Sequence, residues 1–400
     1  MRQVAIAGAG LAGAVLARCL AARGDCRVVV FESRDHVAGN CHTARETSKI
    51  AGGILKHVYG PHIFHTDRVD VWEFVRAFCV MAPYHHRVKA VTARGVFSLP
   101  VNLLTLNQFF GTTLTPGDAA AFLASKTKRV GVCRTFEEQA LSTVGPEIYE
   151  AFLAGYTEKQ WGVSPRELDA AVLKRLPVRF SYEDSYYFSR FQGLPVEGYT
   201  EMTRRMLQHD SIELRLGTTF LKSWREGFDH VFWTGPLDAW FERSRGPLRY
   251  RTLEFEDFVA EGDFQGAPTI NYCQPEVPWT RITEHKHYAP WESHRHTICS
   301  REYSREAKAG DVLYYPLGLK EDKRLMGEYL AMAREERGVT FLGRLGTYRY
   351  LDMDMVIGES LDLARLIARH EHTRESLPVM LPSVIQGLEA QAREARGEKA

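Results

Sequence analysis

Residues 4–32 read VAIAGAGLAGAVLARCLAARGDCRVVVFE: a short apolar strand, a glycine turn, an apolar helix, and a second strand ending in an acid. This order constrains the chain more than any other feature, because it is the opening βαβ unit of a doubly wound α/β fold. Gly8 permits the tight turn, Gly10 lets backbone approach a pyrophosphate, and Gly13 allows close packing of helix on strand. The helix N-terminus adds unpaired N–H groups and the positive end of a dipole. Glu32 falls where a carboxylate accepts hydrogen bonds from a ribose diol. The unit predicts a dinucleotide site and leaves open which dinucleotide it holds.

Four hundred residues, 44% hydrophobic and 25% charged, suffice for two or three cores. With 51 basic and 50 acidic residues there is no global field to invite nucleic acid, so any anionic ligand must be met by locally placed arginines. The seven cysteines are scattered and never spaced as CxxC, which fits reduced thiols in a cytoplasmic protein. Arg2 before an apolar run imitates a secretory leader, but the fingerprint spacing and Arg18 argue against one. No segment reaches the roughly 18 uninterrupted apolar residues of a membrane span.

A nucleotide domain interrupted twice is expected, with parts at 1–78, 209–245 and 318–388. Apolar residues recurring at three and four predict a helical insertion over 79–172, running into a mobile loop. Strand-like runs predict an antiparallel sheet domain over 173–208 and 246–317. The charged end, 389–400, reads as a flexible tail. Thr135 ahead of Glu137 and Glu138 reads as a helix N-cap.

Ordered blocks span about residues 3–370: GAGLAGAV, YGPHIFHT, FSLPVN, FEEQAL, GYTEKQWG, LKRLPVRF, FQGLP, GYTEM, GPLDA, TRITEHK, YYP and GRLGTYRYLDMD. In these the sequence resembles the bacterial UDP-galactopyranose mutases, flavoenzymes that interconvert the six- and five-membered ring forms of UDP-galactose. The resemblance implies an α/β fold: a discontinuous Rossmann-like FAD-binding domain with an inserted helical domain and an antiparallel β-sheet domain. It also implies a homodimer acting on UDP-galactopyranose and UDP-galactofuranose. FAD is then held by Gly8, Gly10, Gly13 and Glu32, with Gly39 and Asn40 nearby. Ala38 stands where the family usually has a second glycine, and a minor backbone shift is expected there.

Ring contraction involves no net oxidation. A protein carboxylate could form a sugar adduct but could not assist ring opening as an amine nitrogen can. In the family the nucleophile is N5 of reduced flavin, so the protein positions the sugar and stabilises the leaving diphosphate. By the resemblance Arg175, on a mobile loop, and Arg281, fixed, clamp that diphosphate with planar guanidinium forks. Choosing Arg175 over Arg179 rests on the spacing from Trp161. Tyr156 is the uracil platform and Trp161 the loop-facing indole. Tyr186, Tyr315 and Tyr350 reach phosphate and sugar, and Asn271 touches the nucleotide.

His65 is expected beside the flavin, and His62 between the flavin and the sugar pocket, where it bears on sugar selectivity. His86 stands where relatives carry Asn beside the substrate, which leaves its role open. Arg344, Tyr350 and Asp352 complete the flavin side, Asp352 ahead of a helix whose dipole would favour an anionic reduced flavin. The loop over about 163–180 is the candidate lid. The HxH pairs at 285 and 287, 294 and 296, and 370 and 372 lack a complete ligand set, so no metal is expected. Competing readings are a flavin-dependent amine oxidase, which shares the fingerprint but gives no account of the paired arginines, and a nucleotide-sugar sensor without chemistry.

Overall fold

The computed structural model describes residues 2–127, 131–175, 178–373 and 376–397; the side chains of 174, 175 and 371–373 lie outside that description. Five parallel strands form the nucleotide sheet in the order Ile212–Arg215, Cys26–Phe31, Arg2–Ala7, His230–Trp233 and Val339–Phe341. Its central strands are covered on both faces, which is why VAIA and VVVF read as continuous apolar runs. On one face the fingerprint helix (Leu11–Ala21), the helix Tyr199–Leu207 and the long helix Met353–Thr373 bury Leu16, Leu20, Met206, Ile357 and Leu363. On the other, Phe31, Trp240, Phe341, Tyr329 and Leu388 form a second core.

A seven-stranded sheet follows the order Tyr315–Pro316, Tyr250–Glu261, His296–Glu306, Arg281–Glu284, Thr269–Tyr272, Val88–Thr92 and Gly95–Leu99. It departs from the expected organisation in two ways. Val88–Thr92 and Gly95–Leu99 come from the stretch 79–172, where a largely helical insertion was expected, and Val88–Thr92 pairs with Thr269–Tyr272 in parallel. VKAVT alternates buried and half-buried residues, a period of two too short to stand out beside the long helical pattern that follows. That helical part does form, around Phe97, Leu106, Phe109 and Phe152, and Thr135 caps Phe136–Thr143 through a reciprocal capping box with Glu138.

The described residues of 173–208 contribute no strand to the large sheet. Their strand Phe191–Pro195 joins Phe64–Thr66 and Met81–Pro83 in a separate three-stranded sheet, and Tyr199–Leu207 packs into the nucleotide core. The tail is corrected too: Pro382–Arg396 is a helix that buries Val384, Leu388, Ala392 and Ala395. Ala392 lies so close to Gly327 of the helix Lys320–Glu335 that a Cβ on that glycine would sit 2.7 Å away. The apolar spacing of about four residues gives one buried stripe, while charge on the other face made the segment resemble a solvated tail. Among the described residues no helix is long and apolar enough to cross a membrane.

Candidate active site

The glycine turn is a bare backbone cradle. A Cβ on Gly13 would lie 1.9 Å from the Gly8 carbonyl oxygen, and one on Gly8 would lie 2.0 Å from Thr234 Oγ1. Gly10 faces Gly39 so closely that a Cβ on Gly39 would stand 3.2 Å from the Gly10 Cα. No side chain caps the fingerprint helix, so its first N–H groups stay open to an anion. Glu32 is buried and accepts from the Ala9 N–H at 2.8 Å and the Arg34 N–H at 3.0 Å. Arg34 lies over the Tyr59 ring, donates from Nη2 to Asn40 Oδ1 at 2.9 Å, and keeps Nη1 buried without a partner. Asn40 Nδ2 in turn donates to the Leu313 carbonyl at 2.9 Å. Open amides, a buried carboxylate and an unpartnered guanidinium nitrogen fit the phosphates and ribose of a dinucleotide.

Ala38 is left-handed, at φ 76°, and its N–H donates to the Ala9 carbonyl at 2.9 Å. The loop accommodates alanine in its glycine-like conformation, with the methyl group buried.

The charged half of the site is one row across the large sheet. Asn271, Arg281, Glu302 and Phe255 are register partners on four successive strands, so their side chains share a face. Arg281 Nε and Nη2 both engage Glu302 Oε1, at 3.0 and 2.9 Å, and Nη1 makes no hydrogen bond to the described residues. Burial opposes the Arg281 charge, but the Glu302 carboxylate and the phenols of Tyr156 and Tyr315 hold its pKa well above the usual arginine range. Asn271 Oδ1 and Glu302 Oε2 are buried without partners.

The segment YGPHIFHT passes over this row at Gly60, φ 90°, where a Cβ would meet Phe255 at 3.3 Å. His62 donates its backbone N–H to His57 Nδ1, and His57 donates its own to His285 Nδ1, each at 3.3 Å. Tyr199 Oη donates to the His62 carbonyl at 3.1 Å. Burial, with Arg344 and Arg281 nearby, pushes the His62 imidazole down to about 4. His65 stacks on Tyr187 at 3.8 Å and contacts Ser189 Oγ at 3.1 Å.

His86 sits in a cage of Tyr84, Tyr186, Tyr187 and Tyr288, with Nδ1 buried and unpartnered. Burial and then Arg281 push it down to about 3, so it is neutral at pH 7. Tyr186 donates its N–H to the His86 carbonyl at 2.7 Å.

Further aromatic residues gather near the Arg281–Glu302 pair. Trp161 approaches Tyr315 at 6.4 Å, Tyr315 stacks on Tyr350 at 5.3 Å, and the Arg344 guanidinium packs against both tyrosine rings. Arg344 is held by the carbonyls of Leu351 and Tyr314. Asp352 immediately precedes Met353–Thr373, and its carbonyl accepts from the Val356 N–H at 3.1 Å. Tyr156 and Trp161 ride on Gly155–Trp161, which a six-residue π-helical stretch, Tyr149–Ala154, introduces.

Arg175 ends a 3₁₀ segment, Ala170–Arg175, and its side chain lies outside the described residues. The two nearby arginines are engaged elsewhere. Arg166 Nε meets Glu137 at 2.7 Å, and Arg179 packs on Phe188 at 3.5 Å while bonding the Ser185 and Tyr186 carbonyls. Neither Arg34 nor Glu302 stands out in the sequence, one lying in an ordinary polar loop and the other in an alternating strand. Among the described residues, Asp263, Glu284 and His287 form a group with metal-like spacing, but Lys286 already pairs with Asp263.

Comparison with known proteins places the chain. Residues 151–350 match the UDP-galactopyranose mutase family model, and residues 6–78 match an NAD(P)-binding Rossmann-like domain. The Klebsiella pneumoniae protein named "Probable UDP-galactopyranose mutase" is 47% identical over 94% of this chain and 98% of its own length. An Escherichia coli dTDP-fucopyranose mutase is 43% identical over 92% of this chain and 99% of its own. A crystal structure of reduced UDP-galactopyranose mutase shares the fold at a TM-score of 0.72 and 14% identity, covering 100% of this chain and 98% of that one. The chain therefore belongs to the UDP-galactopyranose mutase family, isomerases whose FAD cofactor suits the cradle formed by the glycine turn, Glu32 and Arg34.

Proposed function

We propose that this protein interconverts UDP-galactopyranose and UDP-galactofuranose. The observation that carries this reading is Arg281: a half-buried guanidinium, held on one edge by Glu302 and open at Nη1, within electrostatic reach of Tyr156, Tyr315, His62 and His86. That is a site for an anion flanked by hydroxyl and imidazole groups, as a sugar diphosphate requires.

FAD is assigned to Gly8, Gly10, Gly13, Glu32, Arg34, Gly39 and Asn40, with His65, Arg344, Tyr350 and Asp352 toward its ring. When bound and reduced, FAD would supply a nucleophile for the anomeric carbon. Arg281 binds the diphosphate and stabilises it as it leaves, and the family likeness gives Arg175 the second contact. Tyr156 and Trp161 carry the uracil, Asn271 the nucleotide, and Tyr186, Tyr315 and Tyr350 the phosphate and sugar. With His62 pushed to about 4 and His86 to about 3, neither adds charge, and both serve as hydrogen-bonding groups at neutral pH.

A second substrate, dTDP-fucose, is favoured by the likeness to the Escherichia coli dTDP-fucopyranose mutase. The test is incubation of the FAD-loaded protein with UDP-galactofuranose or dTDP-fucofuranose, with and without dithionite, followed by chromatography and oxygen uptake. Reductant-dependent pyranose from the galactose compound supports the proposal. Conversion of the fucose compound alone reassigns the substrate, and oxygen consumed at each turnover without isomerisation returns the protein to the oxidases.

A further inference from the structure

The loop joining Thr269–Tyr272 to Arg281–Glu284 turns around a single cation. Lys159 Nζ donates to the carbonyls of Tyr272 at 2.7 Å, Gln274 at 2.9 Å, Val277 at 2.9 Å and Trp279 at 3.1 Å. An ammonium has three protons, so four converging carbonyl dipoles enclose it as they would a metal ion. Without it they would crowd their negative ends together, although the Gln274 carbonyl also accepts from the Val277 N–H at 3.3 Å.

The helix Gly155–Trp161 that carries Lys159 is fastened at both ends as well. A Cβ on Gly155 would lie 2.6 Å from the Cys273 carbonyl, so only glycine permits this approach to the loop. At the other end Ser304 Oγ donates to the Gln160 carbonyl at 2.6 Å and Arg251 Nε at 3.1 Å. Tyr156 and Trp161 belong to this helix, whereas Asn271 and Arg281 flank the loop that encloses the ammonium. The clamp sets the distance between the aromatic and charged sides of the pocket.

We propose that Lys159 is a positioning residue for nucleotide-sugar binding, which it governs through the loop carbonyls without touching substrate. The inference rests on the assignment of Tyr156, Trp161, Asn271 and Arg281 to the nucleotide sugar. Its ammonium is also within reach of titration: burial lowers the Lys159 pKa to about 8, against the opposing pull of the Glu276 carboxylate. Cys273 is itself pushed up to about 12 by burial and stays a neutral thiol. Arg251 donates from Nη2 to the Lys159 backbone carbonyl at 3.4 Å. Raising the pH through about 8 therefore removes the proton that holds the loop.

The experiment is calorimetric titration of the FAD-loaded protein and of Lys159→Met with UDP, from about pH 7 to about pH 9. Wild type is expected to bind UDP at pH 7 and to weaken about fivefold across the range. Lys159→Met, with unchanged flavin absorbance and content, is expected to bind about tenfold more weakly at pH 7 and to show no further fall. Its KM for UDP-galactose should rise while kcat moves little. Equal UDP affinity in the two proteins overturns the proposal. A pH-independent wild type overturns it as well, and decides the matter if the variant fails to fold. Wild type that binds no UDP instead overturns the pocket assignment.

Discussion

Arg281 and Glu302 stand opposite each other in the register of adjacent antiparallel strands, and Nη2 reaches Oε1 at 2.9 Å. The carboxylate is buried, so the pair supplies a cation at the pocket whose charge is balanced from behind. Removing one partner strands the other charge in a poorly solvated place. Glu302→Ala is expected to cost about 3 kcal/mol of stability. Because a diphosphate then replaces the missing anion, UDP should raise the melting temperature of the variant more than that of wild type. Equal increments from UDP in the two proteins would contradict this balance.

Ala38 pays for a glycine's conformation. At φ 76° its methyl crowds the following carbonyl, a cost of about 1–2 kcal/mol that glycine avoids at the expense of a freer unfolded chain. Ala38→Gly is expected to stabilise the protein by about 0.5–1 kcal/mol with FAD retained. Urea denaturation measures the difference, and a less stable variant counts against a strained alanine.

Acid should unfold the protein through histidines that are buried, as His57, His86 and His285 are, or half-buried, as His62 is. Burial is the main cause in each: with Arg344 it takes His62 to about 4, with Arg281 it takes His86 to about 3, and with Lys56 it takes His285 to about 3. His57, buried beside His285, is held well below the ordinary value. In the unfolded chain these rings titrate near about 6.5, so below that pH the unfolded state binds more protons. The stabilisation is complete above about pH 6.5 and declines toward about pH 4 with a slope approaching 5 kcal/mol per pH unit for four rings. Denaturation midpoints at pH 7 and pH 5 test this, and equal values would refute it.

His86 presents Nδ1, buried and unpartnered, inside its tyrosine cage. His86→Phe fills the same cage without that atom and is expected to weaken UDP-galactose binding about tenfold while sparing UDP, since one hydrogen bond to a buried group is lost. Competition titrations with the two ligands separate sugar from nucleotide. Equal losses for both would place His86 on the nucleotide instead.

The nucleotide unit was legible because its parts are neighbours in the chain: strand, turn, helix and acid lie within residues 4–32 and depend on local spacing. The strands Val88–Thr92 and Gly95–Leu99 were not, since a short alternating run is outweighed by nearby helical periodicity and gains stability only from distant partners. The helix Pro382–Arg396 was hidden by charge on its exposed face. Residue type and motif context marked Arg281, Tyr315 and Tyr350. Arg34 and Glu302 carried no such mark, because an arginine or glutamate in a polar segment is usually solvated.

From sequence alone came the cradle, the family and the residue types available for binding a sugar diphosphate. The tertiary structure decided which of those groups face one another: Arg281 on Glu302, Gly10 on Gly39, and Lys159 within four loop carbonyls. Register between strands and the closure of loops bring together residues far apart in the chain, and no local pattern records the distances that set a buried charge's balance.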